Sequence, residues 1–145
     1  MGEEVEASPP AFVLVHGGGF RGGTRSNDNL VRIARDLAAR GYLTISIDYR
    51  LLRDTGPAEI PDRYAGLAAL PWFIAAPVED TWKSVEWLYD NTLADRERTF
   101  ILGSSAGGVD AMTIAYSPDD LGVACLLFTS PSPRDVEESR MPSSA

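Results

Sequence analysis

The sequence predicts an α/β fold built on a mostly parallel sheet, and two observations carry this. Short apolar-rich runs at 11–15, 42–47, 99–102 and 122–128 have the length and composition of strands, and the first, continuously apolar, has those of a strand buried on both faces. Longer stretches between them repeat their apolar residues at helical spacing. A strand, a helix and a further strand in succession make a right-handed crossover and hence a parallel pair. The 145 residues suffice for one domain with its own core and are too few for two.

Residues 1–10 are acidic, then proline-bearing, and are expected to form a leader outside the core. The run A-F-V-L-V at 11–15 is the first strand. It breaks into His16-Gly17-Gly18-Gly19-Phe20-Arg21-Gly22-Gly23, where missing side chains either give flexibility or bring backbone N–H groups close to a bound group. A helix follows, with Leu30, Ile33, Ala34, Leu37 and Ala38 on one face and Arg32, Arg35, Asp36 and Arg40 elsewhere. Ser26, Asn27 or Asp28 is placed to cap its start and Gly41 to end it. The next strand, Y-L-T-I-S-I at 42–47, closes at Asp48-Tyr49-Arg50.

From 51 to 77 the pattern dissolves. Pro57, Pro61, Pro71 and Pro77, with the cluster Leu70-Pro71-Trp72-Phe73-Ile74, interrupt any long helix. This stretch reads as an insertion over the sheet, in which Trp72 and Phe73 either pack as core or line a pocket. Helical order resumes over 78–91 with Val78, Trp82, Val85, Leu88 and Tyr89 on one face. A strand at 99–102, a tight turn, a helix over 106–116 and a strand at 122–128 complete the ordered part, an expected domain over 11–128. Cys125 lies in the last apolar run and reads as a small buried hydrophobe. Residues 129–145 are rich in proline and serine and lack an apolar period. They read as a disordered tail, and their contrast with the preceding chain raises a non-native origin.

Composition narrows the function classes. Thirteen Lys and Arg against twenty-one Asp and Glu give a net charge of −8, which disfavours nucleic acids and anionic membranes as partners. One cysteine cannot form an internal disulfide. No apolar stretch reaches membrane-span length, and the first residues lack the regions of a signal peptide, so the default location is cytoplasmic. No metal-ligand spacing occurs, and no cofactor is expected. Nothing in the sequence bears on oligomeric state.

The chemistry concentrates at Gly103-Ser104-Ser105-Ala106-Gly107-Gly108. The G-x-S-x-G spacing after a strand and before a helix is that of a nucleophile elbow, which presents a serine hydroxyl at the strand's end. Small residues at such a turn also suit plain turn chemistry, so context must decide. The other glycine-rich loop has two readings. Gly17 to Gly22 satisfies G-x-G-x-x-G, with Asp48 after the next strand, which outlines a dinucleotide site. In that site the third glycine lies where the helix begins, whereas here residues 23–27 intervene before the amphipathic run. The hydrolase reading uses both loops. Attack by Ser105 on an acyl carbonyl creates an oxyanion that needs N–H donors about 3 Å away. Ala106 supplies one, and the glycine loop supplies the others.

The motifs H-G-G-G-F at 16–20, D-Y-R-L at 48–51 and G-S-S-A-G-G at 103–108 resemble those of the hormone-sensitive-lipase-like branch of the α/β-hydrolase family, as do feruloyl-esterase-like carboxylesterases. The resemblance covers about 11–128. It implies a three-layer sandwich with helices on both faces of the sheet, a small-molecule ester substrate, and Ser105 as nucleophile. It further implies an oxyanion hole of Gly18, Gly19 and Ala106 N–H groups, supported by Gly17, Gly103 and Gly107. His16 in that motif braces the loop and is not the base. Ser104 stands where the family often has Asp. The family order is nucleophile, acid, histidine, yet His16 is the chain's only histidine. The expectation is therefore an incomplete hydrolase domain, lacking two leading strands, the C-terminal strands, the catalytic acid and the histidine, and nearly inactive. A non-catalytic binding protein of the same fold and a nucleotide-binding module are the alternatives.

Overall fold

A computed structural model describes residues 7–54, 71–116 and 123–129, with the side chain of Trp72 and those of the last strand outside the description. Strand β1 (Ala11–Val15), helix α1 (Asp28–Ala39), β2 (Leu43–Ile47), α2 (Trp72–Asn91), β3 (Thr99–Ser104), α3 (Ala106–Ala115) and β4 (Val123–Thr129) follow one another, with a 3-10 turn at Arg96–Arg98 leading into β3. The strands form one parallel sheet in the order β2-β1-β3-β4.

This order places the site. The chain runs from β1 through α1 to β2 on one side, then returns through α2 to β3 on the other side of β1. The strand order therefore reverses between β1 and β3, and ligands of open α/β sheets bind outside the carboxyl ends at such a point. Val15 pairs with Ile47 on one side and Gly103 on the other, so the loops after β1, β2 and β3 leave the sheet at one level.

All five residues of β1 are buried, as a central strand covered on both faces requires. Val13, Val15, Ile47 and Ile101 face Val78, Trp82, Val85 and Leu88 of α2 and Ala111 and Ile114 of α3. Phe12 and Leu14 face Leu30 of α1, joined by Ile33, Leu37, Phe100 and Leu102. Helices thus cover both faces. Each fully buried aliphatic side chain in these layers stabilises by about 1.5–3 kcal/mol over leaving it exposed.

Local chemistry accounts for the helix ends. The Asn27 side chain accepts from the Asn29 N–H at 3.0 Å and caps α1. At the other end Gly41 sits at φ 88°, its N–H bonded to Ala38 O at 3.0 Å, while Tyr42 N–H reaches Leu37 O at 3.2 Å. These are the two bonds of a Schellman motif. Two expectations need correcting. Helix α2 begins at Trp72, not at 78, and takes Pro77 into its interior. Pro77 is fully buried, and packing of α2 on the sheet outweighs the N–H it fails to donate. Thr129, expected to open the tail, is the last residue of β4 and pairs with Ser104. The expected leader at 1–6, most of the insertion (55–70), the tail beyond Thr129 and the Cys125 side chain lie outside the described residues.

Candidate active site

Ser105 ends β3 and begins α3 at φ 52°, ψ −112°, a conformation that L residues rarely adopt. Such a backbone costs of order 1–3 kcal/mol and persists only where its surroundings over-determine it. The glycines on either side do this. A Cβ on Gly103 would strike the Gly107 carbonyl, and one on Gly107 would strike the Val15 carbonyl and lie 2.7 Å from that of His16. The spacing seen in the sequence is therefore a packing requirement: the first turn of α3 sits on the ends of both β3 and β1. Ser105 is exposed, and Ala106, first residue of the helix, is buried.

The glycine loop meets this turn directly. A Cβ on Gly17 would lie 2.8 Å from the Ser104 carbonyl and 3.1 Å from Ser105 Cβ. Gly18 and Gly19 follow at φ 136° and 61°, and the Gly18 carbonyl accepts from the N–H groups of Arg21 and Gly22 at 3.1 and 3.2 Å. The loop thus curls back on itself beside the serine. Helix α1 starts at Asp28, well past Gly22, so the helix that follows the loop does not begin at its third glycine as the dinucleotide outline requires.

His16 is 2% exposed. Its Nδ1 donates to the Gly17 carbonyl at 2.8 Å, its ring stacks on Tyr49 with centroids 4.2 Å apart, and Nε2 lies 3.8 Å from Asp48 Oδ1. Asp48 is half-exposed and accepts from the Arg25 backbone N–H at 2.7 Å. Among the described residues no side chain hydrogen-bonds the Ser105 hydroxyl. Beside the serine opens a cavity of about 590 Å³, within the range of small-molecule sites. Its lining is apolar at Leu30, Ile33 and Leu102 and polar at Asn27, Asn29 and Ser104. Of the two aromatics expected over the sheet or at a pocket, Phe73 is 37% exposed and sets its ring edge against Phe20, centroids 6.3 Å apart.

Several groups behind the site were given no role by sequence reasoning, although Tyr49 and Arg50 lie in the D-Y-R-L motif. Asp110, in the second turn of α3, is fully buried, and among the described residues neither carboxylate oxygen has a hydrogen-bond partner. Burial, reinforced by the Asp80 charge, pushes its carboxyl up to about 8. Its one sequence signal was a lone acid in the apolar run A-G-G-V-D-A-M. The Tyr49 hydroxyl donates to the His16 carbonyl at 2.8 Å, and burial, then Asp110, raise its ionisation well above the usual phenol range. Arg50 bonds Asp80 through Nε at 2.9 Å and also pairs with Glu79. The hydrogen bonds it donates to Asp80 hold it charged against the cost of burial. For Glu79 burial works upward, but hydrogen bonds from Lys83 and Arg50 outweigh it and the carboxyl is lowered. Distance along the chain hid these contacts: Arg50 and Asp80 are thirty residues apart.

Comparison with known proteins bears on the same region. A family model described as alpha/beta hydrolase fold matches residues 12–144. Esterase LipI of Mycobacterium tuberculosis is 28% identical over 127 residues, which is 85% of this chain and 34% of LipI. The non-reducing polyketide synthase pkbA of Emericella nidulans is 32% identical over 127 residues, 85% of this chain and 5% of the synthase. Among solved structures, brefeldin A esterase, described as a bacterial homologue of human hormone sensitive lipase, matches with TM-score 0.51 and 29% identity. That match covers 75% of this chain and 27% of the esterase. The chain thus spans about a third or less of these relatives.

Proposed function

The chain belongs to the α/β-hydrolase family, and from that premise we propose that its site is built for carboxylic-ester hydrolysis with Ser105 as the nucleophile. The observation that carries the proposal is the Ser105 backbone at φ 52°, ψ −112°, held against a glycine loop at the point where strand order reverses. Strain of this kind has no packing benefit of its own, and it serves to aim a hydroxyl outward.

The chemistry follows from the geometry. Ser105 Oγ adds to the ester carbonyl carbon and gives up its proton to solvent water, the C=O π bond breaks, and the carbonyl oxygen becomes an anion. The N–H groups of Ala106, Gly18 and Gly19 are the donors for that anion. Preorganised donors of this kind are worth about 2.7–4 kcal/mol each in acyl transfer. Collapse breaks the bond to the alkoxide, which takes a proton from water and departs as the alcohol, and leaves an acyl-serine; attack by a second water then releases the acid and restores the Ser105 hydroxyl. The cavity lined by Leu30, Ile33 and Leu102 receives part of the substrate, a small-molecule ester.

The rate depends on a base. His16 is the chain's only histidine, and its contacts with Gly17 and Tyr49 commit it to the loop. A serine without a base in reach is a weak nucleophile. Ester turnover by this chain is accordingly expected at the level left by oxyanion hole and binding, about 10³–10⁴ over water. Hydrolysis of p-nitrophenyl acetate, compared with Ser105→Ala, tests both parts. Slow turnover lost in the variant is the expected result. Fast Ser105-dependent turnover would show that a base was overlooked, and identical rates would remove the ester reading.

That no described side chain hydrogen-bonds the Ser105 hydroxyl favours a second reading, a non-catalytic binding protein that keeps the pocket without the base. Saturable binding of an ester, with no turnover difference between wild type and Ser105→Ala, would select it.

A further inference from the structure

We propose that residues 49–52 form a clamp that sets the position of the glycine loop against Ser105, with Tyr49 as its positioning residue. The loop Gly17-Gly18-Gly19 is flanked by His16 and Phe20, and the clamp holds both. The Tyr49 hydroxyl donates to the His16 carbonyl at 2.8 Å in a buried setting, and the Leu52 N–H donates to the Phe20 carbonyl at 2.7 Å. Tyr49 also stacks flat on the His16 ring, the planes inclined by 16°. Phe20 sits at φ 61°, a strained angle for a side chain of its size, at the point where its carbonyl is gripped.

The clamp is itself moored. The Arg50 N–H donates to Asp80 Oδ2 at 2.7 Å, its guanidinium bonds Asp80, Glu79 and the Ala76 carbonyl, and the Leu51 N–H donates to Asp54 Oδ2 at 2.7 Å. Helix α2 therefore fixes the segment, and the segment fixes the loop. The two halves of the site converge at one atom. The His16 carbonyl that accepts from Tyr49 is the one that a side chain on Gly107 would touch, so the distance between loop and elbow is set there. Tyr49 remains a neutral donor across the working range, because burial disfavours its phenolate.

The catalytic part of this proposal rests on the ester reading of Ser105, whereas the positional part does not. Tyr49→Phe keeps the ring and its stacking and deletes one hydrogen bond. Val85→Ala, on the buried face of α2, serves as a control for loss of stability alone. Amide hydrogen exchange of residues 17–23 is measured in both variants, together with Ser105-dependent p-nitrophenyl acetate hydrolysis. In Tyr49→Phe, loop exchange is expected to rise about five- to tenfold, the worth of one buried hydrogen bond. The Ser105-dependent rate constant is expected to fall about tenfold with KM unchanged, since displacement of donors acts on the transition state. Loop exchange equal to that of Val85→Ala would overturn the clamp, as would a fall in rate matched by the control. Raised loop exchange in a protein with no Ser105-dependent hydrolysis would uphold the clamp and remove the ester reading instead.

Discussion

The buried carboxyl of Asp110 makes stability depend on pH in a defined direction. Folded, it titrates near 8; its ordinary value is 3.8. Below about pH 4 both folded and unfolded chains carry the proton, and the folded state loses nothing. Between pH 4 and 8 the unfolded chain releases the proton and the folded one keeps it, so fewer protons are bound on unfolding and stability falls as pH rises. Each pH unit in that window costs about 1.4 kcal/mol, so from pH 5 to pH 8 the loss is roughly 4 kcal/mol. Above 8 the folded group ionises too and the loss levels off. Against a total stability of about 5–15 kcal/mol for a domain this is large. Asp110→Asn removes the titration while nearly keeping the shape. Urea unfolding of both proteins, followed by tryptophan fluorescence from pH 5 to 8, isolates the effect as the difference between the curves. The expected difference grows by about 1.4 kcal/mol per pH unit in favour of the variant. Parallel curves would refute the reasoning, showing that Asp110 is solvated or paired.

Three further outcomes follow from the site and its mooring. Ser105→Gly relieves the left-handed backbone and should raise stability by about 1 kcal/mol while abolishing Ser105-dependent hydrolysis, measured by thermal melting and the ester assay. Gly107→Ala drives a methyl into the Val15 and His16 carbonyls and should cost about 3 kcal/mol, or roughly 10 °C in Tm. An unchanged melting point would contradict the close approach of α3 to β1. Arg50→Ala leaves the buried Glu79 beside Asp80 with Lys83 as its remaining described partner and should cost about 2 kcal/mol, and adding Glu79→Gln should recover part of it in chemical denaturation.

The sequence by itself determined what neighbours along the chain decide. The β1 run announces a strand covered on both faces because five consecutive apolar residues leave no polar side. Asn27 and Gly41 mark the ends of α1 because a cap is a bond to residues two or three positions away. The G-x-S-x-G spacing is legible for a similar reason: Gly103 and Gly107 flank the serine in the chain, and each clears space that a side chain would occupy. Even so, the partners they clear include Val15 and His16, some ninety residues earlier, which no local pattern records. The start of α2 at Trp72 was hidden because Pro77 argues against a helix locally, and only the burial of Val78, Trp82 and Val85 on the sheet outweighs it. The same limit applies to the clamp. Tyr49 on the His16 carbonyl, Leu52 on Phe20 and Arg50 on Asp80 join segments that sequence distance separates. Asp110 is perturbed because tertiary packing buries it, and no described residue offers it a hydrogen bond. Local bonding therefore writes the elements and the elbow into the sequence, whereas the position of the glycine loop and the charge state behind it arise from contacts made only when the sheet assembles.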